Sequence, residues 1–369
     1  MNTAQTVFLE LLASAMWNRA PKEELFHNIG TPVWEEIHRL SLAQKVNALV
    51  YDGVMLLPPT LRPEKKVLYK LHLEAGAIEK SNERINNVLK SLSHDYESIG
   101  CPFVLLKGQG NATLYPNPLH RTPGDIDAYL YQKGDYDKAN AWARSQGYEM
   151  EAENIHHQAF YYKNVLIENH HEISYFGIVK YDRLLEKKTR QITANNHFLS
   201  LDIDGLTVRV LPHGFNAFFI FQHLFHHFIH LGIGIRQLCD WMLYWNAYSA
   251  QIDGERFKGL AKEFGLLNAM QAFASVAVKY LGASPNIFPF ATDTEGKYVD
   301  LVMEDIFAGG SFGYAVFKDK RFTSKLHRKW HSFSCTVYRM RKINGMAPRH
   351  IATLPLNKVL TNIKLLFKK

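Results

Sequence analysis

The sequence predicts an α/β protein of the α+β kind, a small mixed sheet flanked by an N-terminal helical region and a C-terminal helical domain. Three observations lead there. Residues 1–95 repeat their apolar positions at helical spacing, short apolar runs of strand length replace that period from residue 101, and long helical spacing returns after Pro212. The implied division is a helical region at 1–95, an α/β core at 96–211, a helical domain at 212–310 and a basic tail at 311–369.

In chain order, Val7-Phe8, Leu11-Leu12 and Met16 mark a first helix, and Leu42, Val46, Leu49, Val50 and Val54 continue the pattern. After Leu57-Pro58-Pro59 a long charged helix is expected from about Pro63 to Tyr96, packing through Leu68, Leu71, Leu73, Ile78, Ile85, Val88, Leu89 and Leu92. Pro102 to Leu106 reads as a strand buried on both faces. A short helix, Gln109 to Tyr115, ends at Pro116, and a polar loop at 117–124 leads into a second strand at 125–130. A helix follows from about Gly134 to Gln146. Strand-like segments follow at Gln158 to Lys163 and Val165 to Ile173, joined by a tight turn at Lys163-Asn164, with a last strand at Leu206 to Leu211. Helices are then expected at Phe215 to His230, Arg236 to Ala250, Gly254 to Phe264 and Asn268 to Leu281.

The composition, 47% hydrophobic and 21% charged, is that of a globular protein. Glu10 interrupts the first apolar stretch and no positive cluster precedes it, which argues against a signal peptide. The most apolar stretch, Phe215 to Ile235, contains four histidines and reads as a buried helix rather than a membrane span. Cys101, Cys239 and Cys335 form no CxxC pair or disulfide framework, so a cytoplasmic location is expected. Of the net charge of +8, the tail carries more than its share. Between Lys318 and Lys369 there are 14 Lys or Arg and one acid, Asp319. Such a tail suits an anionic partner or a membrane surface, or is a solvated terminus. Its end, Leu354 to Lys369, spaces apolar residues as an amphipathic helix that either docks on its own protein or lies on an anionic membrane.

The chemistry concentrates at Gly124-Asp125-Ile126-Asp127. In a strand, residues two apart share a face, so Asp125 and Asp127 stand together while Ile126 and Ala128 face the core. Adjacent carboxylates are costly to bury unless a cation lies between them, and oxygen ligands suit Mg²⁺ or Mn²⁺. Glu168, on the strand Val165 to Ile173, is the chosen third ligand, with Glu172 second; alternation puts Glu168 and His170 on one face and Asn169 and His171 on the other. Without an ion, Asp125 and Asp127 are a solvated acidic pair and Glu168 caps an exposed edge. His223, His227 and His230 share one helix face and are either core histidines, the rim of a site or, less simply, zinc ligands. His156 and His157 precede the third strand and face the same cleft, and Arg236 with Asp240 is spaced for a helical ion pair.

Leu105-Leu106-Lys107-Gly108, Leu114-Tyr115-Pro116, Arg121 and Asp125-Ile126-Asp127 together resemble the uncharacterised nucleotidyltransferase family with an "LLKG…LYP…R…DIDLLV" signature. That family is similar to the DNA polymerase β-like nucleotidyltransferase superfamily. Its next motif, approximately "vDLHW", aligns with Ile167-Glu168-Asn169-His170-His171, where Glu168 replaces Asp and His170 is retained. The helix from His223 to His230 with Arg236 and Asp240 resembles a later family feature. The resemblance implies catalytic, metal-binding roles for Asp125, Asp127 and Glu168, and nucleotide contacts from Lys107, Gly108, Gln109, Arg121 and His170. Lys107-Gly108 stands where the superfamily usually has Gly-Ser, so the usual hydroxyl–phosphate contact is replaced. Gly108 permits close backbone approach, the helix start at Gln109 favours anions, and Lys107 adds a positive charge. Arg121 either reaches the phosphates or a metal-bound carboxylate, or is a surface loop residue.

The expected activity is metal-dependent transfer of an NMP group from an NTP, ATP by default, to an acceptor hydroxyl with release of pyrophosphate. The expected cofactor is Mg²⁺ or Mn²⁺, and the acceptor is a small molecule, saccharide or peptide rather than a specific nucleic acid. A non-catalytic nucleotide- or partner-binding protein and a metal-dependent phosphoesterase remain alternatives.

Overall fold

A computed structural model of the chain describes residues 1–230, 232–310, 337 and 340–354. It begins with α1 (Thr3–Trp17), α2 (Thr31–Ala43), α3 (Asn47–Met55) and α4 (Lys65–Ser98). Asn2 starts α1 through a reciprocal capping box with Gln5, satisfying donors that a first turn leaves unpaired. In α4 the inward face is Val67, Leu71, Ala75, Asn82, Ile85, Val88, Leu89, Leu92 and Tyr96. Leu73, expected inside, is 53% exposed. Two helical positions beyond Leu71 the side chain has turned some 200° away from it.

Then come β1 (Val104–Leu106), α5 (Gly108–Ala112), β2 (Ile126–Tyr129), α6 (Asp135–Ser145), β3 (His157–Tyr162) and β4 (Val165–His170). Lys163 and Asn164 both have positive φ, 48° and 62°, the backbone of a tight two-residue hairpin between β3 and β4. After α7 (Val179–Ala194) a second hairpin, β5 (Leu199–Ile203) and β6 (Leu206–Val210), turns at Asp204-Gly205. The chain continues with α8 (His213–His230), α9 (Ile235–Tyr248), α10 (Gly254–Glu263), α11 (Leu267–Leu281), α12 (Val299–Gly309) and a short helix, Pro348–Ala352. α7, β5 and α12 are not among the elements the sequence predicts. The amphipathic end of the tail lies outside the described residues from residue 355 on.

The mixed α/β architecture is as the sequence predicts. The six strands among the described residues run in the order β3-β4-β2-β1-β6-β5. β1 pairs antiparallel with β2 and parallel with β6, and β2 pairs parallel with β4. One sheet face, with Leu105, Ile126, Ala128 and Ile167, packs on the second half of α4 and on α6. The opposite face, with Val104, Leu106 and Tyr129, joins an apolar core that runs from Phe8 and Leu11 to Phe221, Trp241 and Phe273, so helices from both ends of the chain share it. No helix among the described residues is long and apolar enough to cross a membrane. Cys101 and Cys239 are buried free thiols.

Candidate functional site

β1 ends at Leu106, directly opposite Asp127 on β2. The next residue, Lys107, has φ 48° and ψ −134°, a combination that L side chains rarely adopt and that costs on the order of 1–3 kcal/mol. This bend lies at the turn into α5 and coincides with a buried ion pair, Lys107 Nζ to Asp127 Oδ1 at 3.1 Å. Gly108 follows with φ 45°, and a Cβ there would lie in contact with the Asp125 carbonyl oxygen at 3.4 Å. A backbone so turned favours glycine.

Parallel pairing of β2 with β4 puts Glu168 beside Asp127 and His170 beside Tyr129. The expected alternation holds. Asn169 faces the other way, accepting from the Tyr96 hydroxyl at 2.7 Å and donating to Asn140 at 2.9 Å. On the site face, His170 Nε2 donates to Asp127 Oδ1 at 2.9 Å and lies 3.3 Å from Glu168 Oε2. Asp127, Glu168 and His170 each place a potential ligand atom within 4.8 Å of the other two. Asp125, one residue ahead of β2, lines the adjoining pocket with Asp127 but is not part of that threesome, in which His170 stands instead.

Charge is tightly balanced here. Burial by itself would raise the Asp127 carboxyl, but Lys107 and the hydrogen bond from His170 outweigh it and hold the group well below the usual carboxylate range. Asp125 is pushed up to about 6, first by the neighbouring charge of Asp127 and then by burial, with Lys107 acting in the opposite sense. For Lys107 burial disfavours the charge, yet Asp127, Asp125 and Glu168 together raise its pKa. His170 is likewise disfavoured by burial and raised by its bonds to Asp127 and Glu168.

A narrow pocket of about 60 Å³ opens beside these groups, room for only a few water molecules. Lys107, Gly108, Arg121, Asp125 and Asp127 line it from the sheet side, and His223, Arg236 and Gln237 from α8 and α9. A much larger cavity, about 740 Å³, is lined by parts of α7, α8 and α10 and by none of the residues nominated from the sequence.

Arg121 is neither a surface residue nor free to swing. It is 4% exposed, and its Nε and Nη2 each donate to Asp240 at 2.8 Å. Tyr115 donates to the same carboxylate at 2.6 Å. The expected Arg236–Asp240 helical pair is replaced by this long-range one, and Arg236 donates instead to the Thr122 carbonyl at 2.8 Å. Arg121 Nη1 and Gln237 Nε2 are buried and have no hydrogen-bond partner among the described residues. Gln109 departs from expectation: its side chain is buried against α4, donating to Asn86, and does not line the pocket. α8 contributes His223, whose Nδ1 is 3.4 Å from Lys107 Nζ. His157 reaches the site from β3, 3.7 Å from Glu168 Oε1.

The model of the family described as "Uncharacterised nucleotidyltransferase" matches residues 31–282 of this chain. This chain belongs to that family. Its match extends well beyond the motif-bearing segment, into the helices on either side of the sheet. Among solved structures, an antigenic nucleotidyltransferase-like protein from Paracoccidioides brasiliensis is similar at 12% identity over 45% of this chain and 77% of its own, with a TM-score of 0.30. No curated protein matches. For this family member, the residues that the sequence left out of the site are Tyr115, Asp240 and Gln237. Tyr115 and Arg121 lie near the motif in sequence, but their common partner is on α9, more than a hundred residues away.

Proposed function

We propose that this nucleotidyltransferase-family chain moves an NMP group from an NTP, ATP by default, to an acceptor hydroxyl of a small molecule, saccharide or peptide, releasing pyrophosphate. The observation that carries the reading is the pairing of Asp127 with Glu168 on neighbouring strands, with Lys107 ion-paired to Asp127 and a pocket alongside that Arg121 and Arg236 also line. The residues fit a divalent cation: a ligand atom from each of Asp127, Glu168 and His170 lies within 4.8 Å of the others, and Asp125 adds a carboxylate at the pocket wall. Such a cation would neutralise phosphate oxygens and favour the ionised form of the acceptor hydroxyl.

The protein's own groups do the positioning. Arg121 Nη1 and Gln237 Nε2 are buried donors without partners among the described residues, and such groups are expensive unless something accepts from them. A phosphate oxygen is a suitable acceptor, and the pocket admits a group of that size. Lys107 supplies a further charge on the same wall and would pass from Asp127 to the phosphates as the cation takes its place. Arg121 itself is held rigid by Asp240, which suits it to orientation rather than capture.

The test is calorimetric titration of the four NTPs with Mg²⁺ or Mn²⁺ into wild type and Asp125→Ala/Asp127→Ala, followed by a pyrophosphate-release assay over an acceptor panel. Metal-dependent binding of one NTP that disappears in the folded double variant supports the reading. Binding without pyrophosphate release over the panel would favour the non-catalytic alternative, product release without an acceptor the phosphoesterase, and no binding by folded wild type would overturn the nucleotidyl-transfer reading in favour of a degenerate site or a partner-binding protein.

A further inference from the structure

His156, His157 and His170 meet at the open end of the β3–β4 hairpin. His157 and His170 are direct partners across the antiparallel pair, and His156 lies one residue ahead of β3. The three rings sit mutually close, with centroids 4.6, 5.0 and 5.3 Å apart. A nitrogen of each lies within 4.8 Å of a nitrogen of the other two.

We propose that these three imidazoles form a site for a first-row transition-metal dication of the zinc type. The site shares His170, and Glu168 at its edge, with the cation cluster described above, but its test needs no nucleotide. The nitrogen spacing is the first argument. His156 Nε2 and His157 Nδ1 are 3.2 Å apart. Two nitrogens on one tetrahedral zinc, each about 2.0–2.1 Å from it, are separated by roughly 3.3 Å. The second argument is hydrogen bonding. Nδ1 of His156 and Nδ1 of His170 are buried and have no partner among the described residues. His170 commits Nε2 to Asp127 and Glu168. That leaves Nδ1 of His170 free to ligate the ion, whereas His156, ligating through Nε2, would keep its Nδ1 for a water.

Ligand chemistry selects the ion. Imidazole suits zinc, cobalt, nickel, copper and iron, whereas Mg²⁺ prefers oxygen and holds its water shell. Glu168, 3.7 Å from His157 Nε2, is near enough to complete the shell directly or to orient a bound water. Access is from the rim, because His156 and His157 are only partly buried while His170 is 2% exposed. Tyr175 packs on His156 at 5.0 Å and walls the site toward α8.

The test uses metal alone, with no nucleotide. Full-length protein stripped by a chelator is titrated with Co²⁺, following its visible ligand-field absorption and the bound stoichiometry, and Zn²⁺ or excess Mg²⁺ is then added. The expected result is one Co²⁺ per chain with an intense tetrahedral band, displaced by Zn²⁺ and not by Mg²⁺. His156→Ala/His157→Ala loses the band and binds at least about 10-fold more weakly, whereas Asp125→Ala keeps both. His157→Gln, which preserves side-chain volume, repeats the comparison should the double variant lose its native circular dichroism. Wild type without the band, or histidine variants that bind Co²⁺ as wild type does, would overturn the proposal and show three packed core histidines. Either result leaves the Mg²⁺–NTP titration to be judged on its own.

Discussion

Removing the charge of Asp240 should unfold this protein far more readily than removing most surface charges. The Asp240 carboxylate accepts two guanidinium bonds from Arg121 at 2.8 Å and one from Tyr115 at 2.6 Å. The side chains of Arg121 and Asp240 are 5% and 7% exposed, so solvent screening offers little relief. Asp240→Asn leaves the Arg121 guanidinium buried without a counter-charge, and stranding one member of a buried pair costs about 3–5 kcal/mol. Arg236, whose charge burial and Arg121 both disfavour, loses the favourable influence of Asp240 as well. Arg121→Met should cost a similar amount, because Asp240 then keeps only the Tyr115 hydroxyl. Arg121→Met/Asp240→Asn strands neither charge of the pair, leaving chiefly a buried amide incompletely satisfied at about 1–3 kcal/mol. The double variant should therefore be more stable than either single one, with a coupling energy of at least about 2 kcal/mol in a double-mutant cycle. Urea unfolding near neutral pH, followed by far-ultraviolet circular dichroism, measures all four proteins. A cost below about 1 kcal/mol for Asp240→Asn, or additive single effects, would refute the reasoning.

Three further outcomes are expected. His120 lies between Asp52 and Glu79, with ring nitrogens 2.7 and 2.8 Å from the two carboxylates; burial lowers its pKa, but these contacts raise it overall. Its stabilisation should thus be complete below the unfolded value of about 6.5 and fade as pH rises through the higher folded value; the urea midpoint of wild type minus that of His120→Gln, measured across that range, should fall with pH. The Asp125 carboxyl, raised to about 6, should make divalent-cation affinity grow with pH up to that region and then level off, with proton release visible by calorimetry in buffers of different ionisation enthalpy; a flat profile would remove Asp125 from the cation site. Gly53 in α3 crosses α1 so closely that a Cβ would run into the Leu11 carbonyl, so Gly53→Ala should destabilise by about 1–3 kcal/mol or more in the same unfolding assay.

Local periodicity carries a long way in this chain. The period of two places Asp127 opposite in sense to Ile126 and Ala128, and Glu168 and His170 opposite to Asn169, and the buried sides of the strands agree. The β5–β6 hairpin was also within reach, since Asp204-Gly205 between alternating residues is a hairpin signal. α7 was harder. Only Tyr181, Leu185 and Thr189 are buried on a helix that is otherwise charged, so its apolar stripe is thin.

What the sequence by itself determined is therefore what depends on neighbours in the chain: the mixed α/β class, the shared face of Glu168 and His170, and the family that the motifs announce. What only the tertiary structure decided is every pairing across long separations. The register of β2 against β4 sets Asp127 beside Glu168. Arg121 could be assigned to a phosphate or to solvent from its loop, yet it is claimed by Asp240 on α9. Arg236, four residues from Asp240 and well spaced to pair with it, turns to the Thr122 carbonyl. The physical reason is the same in each case. A buried charge takes the partner that folding brings to it, and desolvation penalises a buried charge left unmatched far more than any helical spacing rewards an exposed pair.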